Sequence, residues 1–369
     1  MNFAECAIFA AMINLPFTLD TDTVWYAIGD GSLVKSVHQL EGFKRIIILV
    51  DENTQQHCLP VLHELVPELK SCDVIRVSSG EKNKNIAQSS YIWNELTRLK
   101  AGRDHLLLNL GGGVITDSGG FAAATFKRGM RFLNIPTTLL GMVDAAIGGK
   151  TGVDFHDFKN QVGLFVDPVG VIIEPLFLKT LDQRQWQSGF SEVLKYALIM
   201  DKDLWGRVHG KHFSEVEDWS TIITKAARDK IDIVRFDAAE RGVRKNLNFG
   251  HTVGHALESY FLRTHNETTH GMAIAAGMIC EAWISAKIFE FDEAQLVEIV
   301  TMIDKNFERF TFDESKIPLI IELMHQDKKM RGNKLLFSLL RRLGKATHDV
   351  EVSPHLIEDS LRYYFKGKV

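Results

Sequence analysis

Glu192 and Lys195 stand three apart in Ser-Gly-Phe-Ser-Glu-Val-Leu-Lys-Tyr, which puts a carboxylate and an amine on one helix face. His251 and His255 stand four apart in Asn-Phe-Gly-His-Thr-Val-Gly-His, and His270 heads the apolar helical run Gly271–Phe289. A glutamate with two histidines is a catalytic zinc set that leaves positions open for substrate oxygens. Thr252 occupies the place where a zinc peptidase needs its glutamate base, so peptidase chemistry is excluded. Spacing alone also fits a histidine pair decorating a helix surface, and the Glu192/Lys195 pair alone fits a solvated ion pair.

Two glycine-rich segments offer anion chemistry. Gly111-Gly112-Gly113-Val114-Ile115-Thr116-Asp117 follows the apolar run Leu106–Leu110 and opens a helical pattern. Glycines there let backbone N–H groups approach a pyrophosphate at a helix N-terminus. Thr116 departs from the ordinary dinucleotide fingerprint, and a tight turn is the competing reading. Val143-Asp144-Ala145-Ala146-Ile147-Gly148-Gly149-Lys150-Thr151 imitates a P-loop but has Asp144 where a glycine belongs, which counts against an ATPase. A surface loop and a substrate site between Asp144 and Lys150 remain equal readings of it.

The elements that must position these residues change character along the chain. Candidate strands Arg45–Val50, Asp73–Val77, Leu106–Leu110, Phe132–Ile135 and Val169–Glu174 alternate with helical patterns at Asn53–Leu69 and Asn85–Leu99. Such alternation predicts a doubly wound, mostly parallel α/β domain over residues 1–181. From 182 to 369 helical periodicity dominates, at Arg184–Asp201, Phe213–Asp232, Asn248–Phe261, Gly271–Phe289 and Asp292–Asp304. Lys334–Leu340 and Thr347–Val352 read as one late hairpin in that mostly α-helical domain.

With 369 residues and 45% apolar side chains, the chain has material for two cores. A net charge of −4 argues against nucleic acid as the main ligand. Four scattered cysteines without a CxxC pair argue against a disulfide framework and for a reducing compartment. The segment from Phe3 to Phe17 is apolar but short and broken, and no Lys or Arg precedes Lys35. It is therefore read as neither a signal peptide nor a membrane span, and a cytoplasmic location with no membrane partner is expected.

Taken together, these segments resemble 3-dehydroquinate synthase, of the sugar-phosphate cyclase family, from about Ile28 to Tyr364. The resemblance rests on GGGVITDSGGFAAATFKRGMRFLNIPTTLLGMVDAAIGGKTGVDFHDFKNQVGLF, LKTLDQRQWQSGFSEVLKYALIMD, RKNLNFGHTVGHALES and HGMAIAAGM. It implies a dinucleotide-binding domain followed by a metal- and substrate-binding domain. The implied metal ligands are Glu192, His251 and His270, holding Zn2+ with Co2+ able to substitute. NAD would be held by Asp51, Glu81, Lys84, Gly112, Gly113, Asp117, Thr137, Thr138, Lys159, Thr180 and Leu181. Asp144, Lys150, Asn160, Lys195, Lys230, Arg244, Asn248 and His255 would meet the substrate. Arg128 would reach its phosphate from a neighbouring subunit of a homodimer, and one of Lys328 and Lys329 would approach the same phosphate. Lys230 precedes Arg244 by the fourteen residues the family pattern requires. Met272 departs from the glutamate usual two positions after the third ligand, which implies local tuning of the metal environment.

The implied substrate is a small sugar phosphate, 3-deoxy-arabino-heptulosonate 7-phosphate. In the implied reaction NAD oxidises the C5 hydroxyl, phosphate leaves by β-elimination, and NADH returns the hydride. Ring opening and an intramolecular aldol step then close the carbocycle. Rival readings are an epi-valiolone or deoxy-inosose synthase of the same fold and a related metal-dependent polyol dehydrogenase. Asn248, His255 and the full lysine–arginine set favour the dehydroquinate branch.

Overall fold

Runs of β-branched and leucine residues bounded by turn formers become strands buried on both sides, the pattern of a parallel sheet. The computed structural model describes residues 17–20, 23–156, 158–264, 268–289, 291–311, 313–326, 330–331 and 334–367. Most of the N-terminal segment, and both Lys328 and Lys329, lie outside the described residues.

The first unit runs to Leu181 and also takes Trp219–Ala227. Its strands are β1 (Phe17–Asp20), β2 (Trp25–Ile28), β3 (Ile46–Asp51), β4 (Asp73–Val77), β5 (Leu106–Gly111), β6 (Arg131–Pro136), β7 (Lys150–Phe155), β8 (Phe158–Phe165) and β9 (Gly170–Ile173). Seven form one sheet in the order β1-β2-β9-β6-β5-β3-β4, parallel except for the β1–β2 edge pair. β7 and β8 form a separate antiparallel hairpin. The helices are α1 (Ser32–Ser36), α2 (Glu52–His57), α3 (Leu59–Leu65), α4 (Ile86–Arg98) and α5 (Gly113–Thr125). One face of the sheet is sealed by Ile47, Leu49, Ile75 and Leu107 against Ile92, Leu96, Ile115 and Ala122 from α4 and α5.

The doubly wound sheet is as expected, but the helix read over Asn53–Leu69 is broken. Pro60 lacks the N–H that would continue α2, so it opens α3 instead, and Pro67 opens a 3-10 turn over Pro67–Ser71.

The second unit takes Asp182–Asp218 and the described residues from Arg228 onward. Its helices are α6 (Gln183–Ile199), α7 (Lys202–Val208), α8 (Trp219–Phe236), α9 (His251–Arg263), α10 (His270–Phe289), α11 (Glu293–Asn306), α12 (Ile317–Gln326) and α13 (Pro354–Phe365). α8 is one helix whose first half, Trp219–Ala227, belongs to the first unit. The helix read over Phe213–Asp232 is corrected: a 3-10 turn at Phe213–Glu215, capped by His212, ends before α8 begins. β10 (Met330–Arg331), β11 (Lys334–Arg342) and β12 (Lys345–Glu351) form a three-stranded sheet that contains the expected hairpin. α10 is long and apolar enough to cross a membrane, yet 67% of its most apolar window is buried within the protein. Its apolarity serves the core.

α9 and α10 approach each other closely through glycine. A Cβ at Gly277 would lie 1.9 Å from the Gly250 carbonyl oxygen, and one at Gly254 would lie 2.8 Å from Ile274 Cδ1. Helix backbones in near contact fix the relative positions of the side chains at their N-terminal ends, and those ends carry His251, His255 and His270.

Candidate nucleotide and metal sites

In the first unit the sequence-derived residues gather at the carboxyl ends of the strands, where open α/β sheets bind ligands. Gly112 is the N-cap of α5 with extended backbone and supplies no side-chain cap. A Cβ on Gly112 would lie 2.8 Å from Thr138 Cγ2, so glycine is needed where this turn passes the loop after β6. Thr138 in turn accepts the Gly141 N–H through its hydroxyl at 3.0 Å. An uncapped helix start beside glycine backbone has the form of a pyrophosphate cradle.

Asp51 ends β3 and caps α2, its carboxylate accepting the Thr54 N–H at 2.8 Å. Lys84 is buried, ion-paired with Asp117 at 2.7 Å and donating to Asn160 Oδ1 at 2.6 Å. Burial alone would lower its pKa, but Asp117, Glu81 and Asp154 outweigh that and hold Lys84 above the ordinary lysine value, fully charged. Lys159 pairs with Glu81 at 3.3 Å. Thr137 is buried, while Thr180 is exposed and Leu181 half-buried at the end of the Pro175–Thr180 turn.

Asp144 lies in a π-helical turn, Gly141–Ala145, and Lys150 begins β7 with its side chain exposed. Sequence reading missed what holds that turn. Asn109 and Asn134 face each other across β5 and β6, and Asn109 Nδ2 donates to Asn134 Oδ1 at 2.9 Å. Asn134 then donates to the Ala146 carbonyl at 3.4 Å. Polar residues inside otherwise apolar strands were the available signal.

In the second unit Glu192 lies on α6 with its side chain fully buried, and Lys195 Nζ contacts its Oε2. Neither Glu192 oxygen receives an aligned hydrogen bond. His251 Nε2 and His270 Nε2 lie 3.7 and 3.8 Å from Glu192 Oε1. The far nitrogens are engaged elsewhere, His251 Nδ1 with the Phe249 carbonyl at 3.2 Å and His270 Nδ1 with Glu258 Oε2 at 3.4 Å. His255 shares the cluster: one ring nitrogen from each of the three histidines lies within 4.8 Å of the others.

A buried carboxylate without aligned donors, facing imidazole nitrogens whose opposite sides are occupied, fits a divalent cation. Ring geometry alone does not rank His255 below Glu192 as a ligand. Three further contacts position the set. Ser188, one turn before Glu192, accepts the Gly271 N–H at 3.1 Å beside His270. Glu281, fully buried on α10, accepts the N–H groups of Gly250 at 2.7 Å and Val253 at 3.1 Å. Gly250 gives α9 no side-chain cap, so Glu281 supplies one from the neighbouring helix. A lone acid in the apolar run Gly271–Phe289 was the legible sign of that role.

The cations sit nearby in sequence and are individually held. Arg244 is 2% exposed and donates through Nη1 to the Ala238 carbonyl at 2.7 Å, while Lys230 is buried on α8. Asn248 Nδ2 donates to Glu240 Oε1 at 2.8 Å. Arg128, in the first unit, is exposed with φ 64° in a turn after α5.

In chain order, a nucleotide-type α/β unit is followed by a helical unit that carries a histidine–carboxylate cluster. The chain is similar to a 2-deoxy-scyllo-inosose synthase solved with carbaglucose-6-phosphate, NAD+ and Co2+, at TM-score 0.82 and 24% identity over 94% of this chain and 99% of that one. It is equally similar, at TM-score 0.82 and 23% identity, to the 2-epi-5-epi-valiolone synthase of Streptomyces hygroscopicus with NAD+ and Zn2+ bound, covering 94% of this chain and 98% of that one. Those likenesses establish the fold. Residues 74–188 match the family model for the 3-dehydroquinate synthase N-terminal region, and residues 189–330 match the C-terminal one. The 3-dehydroquinate synthase of Parabacteroides distasonis is 38% identical over 87% of this chain and 92% of its own length. The chain belongs to the 3-dehydroquinate synthase family.

Proposed function

We propose that this protein is a 3-dehydroquinate synthase that converts 3-deoxy-arabino-heptulosonate 7-phosphate to 3-dehydroquinate and phosphate, a step of aromatic biosynthesis. The observation that carries the reading is the approach of His251 and His270 to the buried, donor-poor carboxylate of Glu192, with Lys195 alongside. When bound, NAD supplies a reversible hydride acceptor and Zn2+, with Co2+ able to replace it, supplies a Lewis acid for substrate hydroxyls.

Glu192, His251 and His270 would hold the ion, with His255 turned to substrate. Gly112, Gly113 and Asp117 would take the pyrophosphate and ribose of NAD, with Asp51, Glu81, Lys84, Thr137, Thr138, Lys159, Thr180 and Leu181 around the rest. Lys195, beside Glu192, would be a proton donor to a substrate hydroxyl in this reading. Arg244 and Lys230 are cations suited to a phosphate dianion and a carboxylate. The Ala238 carbonyl orients the Arg244 fork, and Glu240 orients the Asn248 amide. Asp144, Lys150 and Asn160 are the first unit's substrate contacts in this reading, and Lys328 or Lys329 adds a further cation.

The working form is read as a cytoplasmic homodimer. Supporting this, Phe155, Leu164, Phe165 and Val166 are exposed together at the β7–β8 hairpin, an apolar patch suited to a second copy. The described cysteines, Cys58, Cys72 and Cys280, are free thiols, in keeping with a reducing compartment.

The test is phosphate release from the heptulosonate phosphate with NAD at a small fraction of the substrate concentration, the product identified by NMR. Many turnovers per NAD and a 3-dehydroquinate spectrum are expected. NADH accumulating with substrate consumption would instead establish a polyol dehydrogenase.

A further inference from the structure

His251, His255 and Glu258 stand at i, i+4 and i+7, a spacing that lines all three along one face of α9. Glu258 is 3% exposed, so its carboxylate is buried within the second unit. Its Oε2 lies 3.4 Å from His270 Nδ1, while the opposite ring nitrogen, Nε2, is the one 3.8 Å from Glu192 Oε1. A neutral imidazole has one N–H and one bare nitrogen, and a carboxylate can only accept. The contact therefore selects the ring form that keeps its proton on Nδ1 and leaves Nε2 bare.

We propose that Glu258 is a positioning residue for the metal site, fixing the tautomer and rotation of His270 so that Nε2 is presented as a ligand. The inference rests on the metal reading given above and extends it to a residue outside the ligand set. His251 reaches the same arrangement by another route, since its Nδ1 faces the Phe249 carbonyl. The backbone thus orients one histidine and a side chain the other, which makes His270 the ligand a single substitution can release.

The experiment compares Zn2+ affinity of the full-length wild-type chain and Glu258→Gln by competition with a chromogenic chelator, with no substrate or NAD present. Gln keeps the volume but can present an amide donor to Nδ1, so affinity should fall roughly 10- to 100-fold. Metal-free melting should change little, whereas a purely structural role would lower it and leave affinity intact. Affinity within twofold of wild type would overturn the inference while leaving the metal site standing. Absence of Zn2+ binding in the wild type would overturn both. A second measurement needs no variant: histidine-selective 15N correlation spectra of the Zn2+-loaded wild type. They should show a protonated His270 Nδ1, and a proton on Nε2 would refute the assignment.

Discussion

Asp237 illustrates how a residue outside the cluster governs residues assigned to substrate. Its carboxylate accepts the N–H groups of Arg241 at 2.9 Å, Gly242 at 2.7 Å and Arg244 at 3.0 Å, pinning the turn that carries Arg244. Burial pushes this carboxyl up, but the three backbone donors and the Arg244 charge outweigh it and hold Asp237 below the usual aspartate value. With the folded pKa below the unfolded one, its stabilisation is complete above about pH 4 and is lost as pH falls through the lower folded value. Asp237→Asn should therefore melt at a lower temperature than wild type near neutrality, with the gap closing in acid. Melting curves from about pH 3 to 7 check this; parallel curves across that range would detach Asp237 from the acid response.

At the scale of elements, the α9–α10 contact governs the histidine cluster. Gly277→Ala places a methyl 1.9 Å from the Gly250 oxygen and 2.7 Å from the Gly254 nitrogen, and both atoms are backbone. No rotamer change relieves that overlap, so the helices must separate. Overpacking typically costs about 1–3 kcal/mol, and this site belongs at the upper end. Chemical denaturation should show that loss, and metal retention after gel filtration should fall with it, because His251 and His255 ride on one helix and His270 on the other. Gly206→Ala is the control. It lies in α7 with open space around a new Cβ, so it should stabilise slightly, by up to about 1 kcal/mol. Equal behaviour of the two variants would remove the close approach as the organiser of the cluster.

At the scale of the whole molecule, the homodimer reading is tested by complementation. Arg128 is exposed in the turn after α5 and is the residue proposed to act across subunits, whereas Lys195 is buried beside Glu192 of its own chain. Arg128→Ala and Lys195→Ala should each be nearly inactive. If a site takes Arg128 from one subunit and Lys195 from the other, a mixed dimer holds one intact site and one doubly damaged site. Random exchange of equal amounts then restores about a quarter of wild-type sites. Refolding the mixture and measuring phosphate release checks this; no recovery with heterodimers present would return Arg128 to its own subunit's site, or remove it from the site.

The local order of this protein is written in its sequence because local order depends on near neighbours. Glu192/Lys195 and His251/His255 were legible as helix-face pairs because 3.6 residues complete a turn. The strands Asp73–Val77 and Leu106–Leu110 were legible as apolar runs between turn formers, and the sheet they build follows from their alternation with helices. The helix boundaries that failed did so where proline at positions 60 and 67, or the His212 cap, interrupts an otherwise regular apolar period. Only the tertiary structure decided which residues support the cluster. Glu281 caps a helix 28 and 31 residues away, and Ser188 reaches Gly271 across 83. Such pairings depend on how the helices pack, and close approach is permitted by Gly250, Gly254 and Gly277 between α9 and α10 and by Gly271 against Ser188 of α6, residues whose contribution is the absence of a side chain. A glycine in a sequence records no partner; the backbone that comes within reach of it does.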